Sequence, residues 1–120
     1  MEKYIEDILY FDETKEEVHY IEDIDAASDF ELKHTPNIEV INDSECKRIK
    51  VTIGLKGISH PQTEEHLIEW FRVEDAIETV LYETFDANET PEAEFNVYGE
   101  SGEISVLAFC NLHGVWKAIL

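Results

Sequence analysis

Cysteine is scarce in this chain: Cys46 and Cys110 are the only two in 120 residues. Two thiols do not make a disulfide framework, so the fold must rest on a packed core, with Cys110 read as a free thiol and Cys46 as an inert one. Long apolar runs are also missing. No stretch approaches the roughly 20 residues of a membrane span, and no basic n-region followed by an apolar h-region opens the sequence. These absences predict a cytoplasmic protein with no membrane partner. Cations are few, nine Lys and Arg against 28 Asp and Glu, for a net charge of −19. A nucleic-acid surface needs clustered cations to meet phosphates, so that class of partner is excluded. Methionine occurs once, as Met1, while three prolines and five glycines leave little punctuation. Each Pro or Gly therefore carries information about a turn.

What is present fits a single globular domain. The chain is 43% hydrophobic and 11% aromatic, enough to bury a core without staples. From residue 37 it reads as strands. "NIEVI" is β-prone, and "KRIKVTI" alternates, with Ile49, Val51 and Ile53 on one face and Lys50 and Thr52 on the other. "HLIEWFRV", "EFNVY", "ISVLAF" and "VWKAIL" follow the same logic. "AIETVLYETF" suits one helical turn as well, but Thr79, Val80, Tyr82 and Phe85 favour strand. "DANETPEAE" reads as a loop and "GESG" as a hairpin turn. Short strands separated by turns predict an all-β sandwich. Residues 1–30 differ: they hold eleven carboxylates against Lys3 and Lys15. They read as an acidic N-terminal extension beside a domain spanning 31–120. "YIEDI" occurs there twice, at 4–8 and 20–24, a match too short to establish a repeat. By contrast, residues 104–120 contain no acidic side chain and keep Lys117.

Four of the five histidines sit in turn-like surroundings. His60 and His66 flank "PQTEE", His34 precedes a turn in "KHTP", and His113 follows Cys110 in "CNLH". A Cys-x-x-His pair at a strand end is a chelating spacing. Taken singly, each histidine is better read as a surface residue; four imidazoles and a thiol together point to a metal. A closed structural zinc site needs only four ligands. Blue copper uses two histidines, a cysteine and usually a methionine, and the facial triad of non-haem iron needs a carboxylate. Four imidazoles and one thiolate suit a five-coordinate iron with one open position.

The motifs resemble the superoxide reductase family, the iron domain of desulfoferrodoxin and neelaredoxin. They are "KHTP" at 33–36, "HPQTEEHLIEW" at 60–70 and "CNLHGVWKA" at 110–118, with "PEAEF" at 91–95 also similar. The resemblance covers residues 31–118. It implies an immunoglobulin-like antiparallel β-sandwich and a mononuclear non-haem iron cycling between Fe2+ and Fe3+. The implied ligands are His34, His60, His66 and His113 in a plane, with Cys110 axial. Lys33 is implied beside the open position, drawing in superoxide and assisting protonation, with backbone amides of Asn111, Leu112 or Gly114 bonding the sulfur. A rubredoxin-type donor and a homo-oligomeric dimer or tetramer are implied as partners. His19 matches no ligand and reads as an ordinary histidine, and Trp70 and Trp116 read as core. One departure stands out: Leu32 occupies the position where the family commonly has a glutamate that caps ferric iron. In an extended segment Glu31 would point away, so an open ferric site is expected. The competing readings are an iron-binding electron carrier or sensor with little superoxide turnover, and a sandwich holding adventitious zinc.

Overall fold

The computed structural model describes residues 18–42, 46–74, 80–98 and 104–120. Among these residues, eight strands form two sheets. Strand β1 is Val18–Tyr20, β2 is Pro36–Asn42, β3 is Cys46–Ile53 and β4 is Ile68–Glu74. They continue with β5 at Val80–Thr84, β6 at Ala93–Tyr98, β7 at Ser105–Cys110 and β8 at Gly114–Ile119. One sheet runs β1-β8-β7-β4-β5 and the other β2-β3-β6. Setting β1 aside, the first, second and fifth strands face the other four, the partition of an immunoglobulin-like sandwich. Among the described residues no helix is long and apolar enough to cross a membrane.

Period-two alternation builds the core. In β3, Ile49 and Val51 are fully buried, while Arg48 and Lys50 point outward to Glu94 and Glu92 at 2.7 and 3.1 Å. In β7, Val106, Ala108 and Cys110 face inward and pack with Phe71, Val73 and Val97. The alternate residues of the same sheet, Trp70, Leu107 and Val115, form a smaller cluster on its other face. Cys110 is thus the last inward position of a core strand, which anchors its sulfur in the buried core.

Each strand expected from residue 37 onward has a counterpart among the described residues; positions 76–79 of "AIETVLYETF" lie outside them. "GESG" and the first "YIEDI" lie outside the described residues; in the second, Tyr20 ends β1 and Ile24 begins a 3-10 turn over Ile24–Ala26. The pairings among β2–β8 are antiparallel, as expected. The N-terminal extension adds a strand of the other sense: β1 pairs parallel with β8, placing Val18, His19 and Tyr20 against Val115, Trp116 and Lys117. After β1 the chain crosses to the other sheet rather than turning back, so a hairpin register is not imposed. One expectation is corrected: the segment before His34 is not extended. Residues Asp29–His34 form a helix, α1, closed at its start by a capping box. The Ser28 hydroxyl accepts from the Glu31 amide, and the Glu31 carboxylate accepts from the Ser28 amide. Those bonds satisfy amides that a short helix otherwise leaves unpaired.

Candidate metal centre

Four chain segments converge at one end of the sandwich. The last turn of α1 carries Lys33 and His34. The connection from β3 to β4 carries His60 and His66. Strand β7 ends on Cys110, and the turn into β8 carries His113. Backbone hydrogen bonds lock these pieces together. The Gly54 amide donates to the Thr35 carbonyl at 2.9 Å and the Leu55 amide to the Leu32 carbonyl at 3.0 Å. Gly54 has φ +95°, and a Cβ there would collide with the Ile58 carbonyl oxygen, so only glycine allows the chain to fold back toward His60.

Donor atoms of His34, His60, His66 and Cys110 all lie within 4.8 Å of one another. His113 is outside that compact set but completes it as a ring. Successive ring centroids are 4.7 Å apart for His34–His60, 4.6 Å for His60–His66, 5.2 Å for His66–His113 and 4.9 Å for His113–His34. Each neighbouring pair is nearly perpendicular, at 72–82°. His34 and His66, across the circuit, are 6.1 Å apart and tilted only 34°. Four imidazoles therefore stand around a square like blades.

Hydrogen bonding fixes which nitrogen faces inward. His34 Nδ1 lies 2.6 Å from the Phe30 carbonyl oxygen and His60 Nδ1 2.6 Å from that of Pro61. A carbonyl oxygen only accepts, so each Nδ1 carries the proton and each Nε2 presents a lone pair. The Nε2 atoms of His34, His60 and His66 are buried with no hydrogen-bond partner among the described residues. An unsatisfied buried polar atom costs about 1–3 kcal/mol. Three such atoms beside a buried thiol fit a soft-to-borderline cation held by nitrogen and sulfur.

Electrostatics agree with that fit. Burial holds the His34 and His60 rings down to about 4, so both are neutral near pH 7. His66 is lowered by burial, then by His113 and Lys33. Burial pushes the Cys110 thiol up; hydrogen bonds from the Leu112 and His113 amides and the charge of Lys33 oppose it. Of the amides expected at the sulfur, Asn111, Leu112 or Gly114, that of Leu112 is there, joined by that of His113, while the Asn111 amide donates to the Leu67 carbonyl at 3.2 Å. Lys33 makes no ion pair among the described residues; its ammonium lies 5.8 Å from the centre of the Phe30 ring.

Other side chains brace the ring. Asn111 accepts from the Leu67 amide at 2.9 Å and donates to the Glu65 carbonyl at 3.0 Å, tying the His66 segment to the cysteine turn. Gln62 accepts from the Ile68 amide and donates to the Ile68 carbonyl, both at 2.9 Å. Phe30 meets His34 at 4.6 Å with the rings tilted by 49° and His113 edge-on at 4.9 Å. The sequence reading missed Gln62, Asn111 and Phe30. Only Phe30 left a signal, its i, i+4 spacing to His34 once Ser28 and Glu31 are read as a capping box.

The family model described as Desulfoferrodoxin matches residues 26–119. The chain is 36% identical over 86 residues to a desulfoferrodoxin homolog of Archaeoglobus fulgidus, covering 72% of this chain and 62% of that one. It is 38% identical over 87 residues to the desulfoferrodoxin of Nitratidesulfovibrio vulgaris, covering 72% and 61%. The match thus spans about three-fifths of the length of these two relatives. A superoxide reductase of Pyrococcus abyssi is 32% identical over 96 residues, covering 71% of this chain and 83% of that one. Among solved structures, a variant superoxide reductase (neelaredoxin) from Archaeoglobus fulgidus in the reduced form superposes with a TM-score of 0.66 at 28% identity, covering 79% and 92%. The superoxide reductase from Treponema pallidum gives 0.60 at 30% identity, covering 73% and 66%.

Proposed function

This chain belongs to the desulfoferrodoxin family, and from that premise we propose that it is a mononuclear non-haem iron oxidoreductase reducing superoxide to hydrogen peroxide. Residues 31–120 are the iron-binding sandwich in this reading, with 1–30 its acidic extension. The observation that carries the reading is the set of three buried, partnerless imidazole nitrogens converging with the Cys110 sulfur within 4.8 Å. His34, His60, His66 and Cys110 would hold the iron, with His113 as the fourth imidazole. Bound there, iron supplies a one-electron Fe2+/Fe3+ couple. Overall, superoxide takes up one electron and two protons and leaves as hydrogen peroxide.

The protein's own groups perform the rest. His34 and His60 remain neutral at working pH because burial disfavours their protonation, so their lone pairs are not lost to protons. The Leu112 and His113 amides stabilise negative charge on the Cys110 sulfur, which tunes the redox potential of a metal it binds. Lys33 places the one nearby cation with no ion pair among the described residues where its charge reaches His34, His60, His66 and Cys110. There it attracts the anion and orients a water for protonation. The donor proposed is a small rubredoxin-type protein, and the assembly a dimer or tetramer, both as the family resemblance implies. A cytoplasmic setting fits a free, buried Cys110.

Metal content and optical spectra before and after oxidation test the proposal, on protein purified without added metal. The expected result is one iron per chain and a visible thiolate-to-ferric band that Cys110→Ser removes. Rapid mixing with superoxide then shows stoichiometric peroxide. A protein that stays colourless after anaerobic loading with ferrous iron sinks the reading. One that holds iron but consumes no superoxide is an electron carrier or sensor instead.

A further inference from the structure

His19 stands outside the residues that match the family, yet it is built into the centre. It lies on β1, in parallel register with Trp116 of β8. Its half-buried ring stacks on the Trp116 indole at 4.4 Å and 28°. The same indole stacks on His34 at 5.0 Å and 23°. Trp116 is 4% exposed, and its Nε1–H donates to the His113 carbonyl at 3.0 Å. The indole thus touches two corners of the imidazole square, one through its face and one through its edge. Gly114, between His113 and Trp116, has φ +84°, and a Cβ there would sit 3.8 Å from His19 Nε2. His19 therefore backs both the indole and the turn that carries His113.

We propose that His19 is a positioning residue of the metal centre, acting through Trp116 to hold the His34 ring and the His113 turn in place, so that β1 is a clamp on the site. The inference rests on the metal-centre reading above. Three stacked rings leave the central one little freedom to tilt. Removing the His19 ring takes away one of the indole's two stacking partners. The His34 ring then keeps its hydrogen bond to Phe30 but loses the wall that sets its rotation. A flat ring at position 19 is what the clamp needs, not an ionisable one. The chemistry of the imidazole is replaceable; its shape is not.

The test uses the full-length metal-free chain titrated with Co2+, read by its thiolate charge-transfer and ligand-field bands. His19→Leu keeps apolar bulk but cannot stack, and His19→Phe keeps the stack. Expected is Co2+ affinity about tenfold weaker for His19→Leu, in the range seen when outer-shell partners of metal ligands are removed, with shifted ligand-field bands. His19→Phe should match wild type in both. Circular dichroism of the metal-free variants checks that both fold. Two variants indistinguishable from wild type, or two equally impaired, overturn the clamp. A wild-type chain that takes up no Co2+ with a thiolate band removes the metal centre itself and the clamp with it.

Discussion

Which nitrogen of each histidine faces inward depends on main-chain carbonyls, those of Phe30 and Pro61. The candidate ligands were legible in the sequence while their orientation was not: residue type and spacing mark a candidate chelator, but every residue offers a carbonyl. Burial of His34 and His60 has a consequence for stability. In the unfolded chain both titrate near 6.5, and in the folded chain near 4. Between those values the unfolded state binds more protons, so stability of the metal-free protein falls as pH drops from 6.5 toward 4. The slope is about 1.4 kcal/mol per pH unit for each histidine. Urea denaturation of the metal-free protein at stepped pH checks it; a flat profile would mean the rings are solvated. Leu32 sets a second expectation. It is 5% exposed, and Glu31 beside it is committed to the Ser28 capping box. Neither offers a carboxylate to the site, so the oxidised protein should bind azide or cyanide more tightly than a relative with glutamate at the position of Leu32. Equal affinities in parallel spectral titrations would refute this.

Strands β2 to β8 were legible because alternation is a local property of the chain. Helix α1 was not, since six residues give no amphipathic period to read; its signal lay in Ser28 and Glu31, three apart. The parallel partner of β1 was not legible either, because a contact between residues about a hundred positions apart leaves no local mark. Elements here meet through side chains as much as through backbone. Asn111 joins the end of β7 to the segment entering β4 with two side-chain bonds. Asn111→Ala should leave the Leu67 amide without its acceptor and lower stability by about 1–3 kcal/mol. It should also weaken metal affinity, because His66 lies beside that tie. Thermal unfolding and metal titration of the variant measure the two losses separately. A stability loss with unchanged affinity would show that the tie does not position His66.

The whole molecule carries a charge of −19, an unhelpful sign for the proposed reaction, whose substrate is an anion. Carboxylates cover several of its cations: Arg48 meets Glu94, Lys50 meets Glu92 and Lys56 meets Asp25. Lys33 is left unpaired among the described residues. Fields of distant carboxylates are screened beyond about 8–10 Å at physiological ionic strength, so the local cation should govern approach. The superoxide rate should then fall as salt is added. In Lys33→Ala it should drop about tenfold and rise with salt instead, because only the negative surroundings remain to be screened. Pulse radiolysis across a salt series reads both slopes, and a wild-type rate that climbs with salt would refute local steering. Finally, three inward imidazole nitrogens have no protein partner among the described residues, so the metal-free fold carries a penalty that a bound cation would relieve. On the proposed reading, iron supply governs how long the chain survives as well as whether it works. A cell short of iron would hold more of this protein in opened forms that proteases can cut, and its abundance would track the metal without any dedicated regulator.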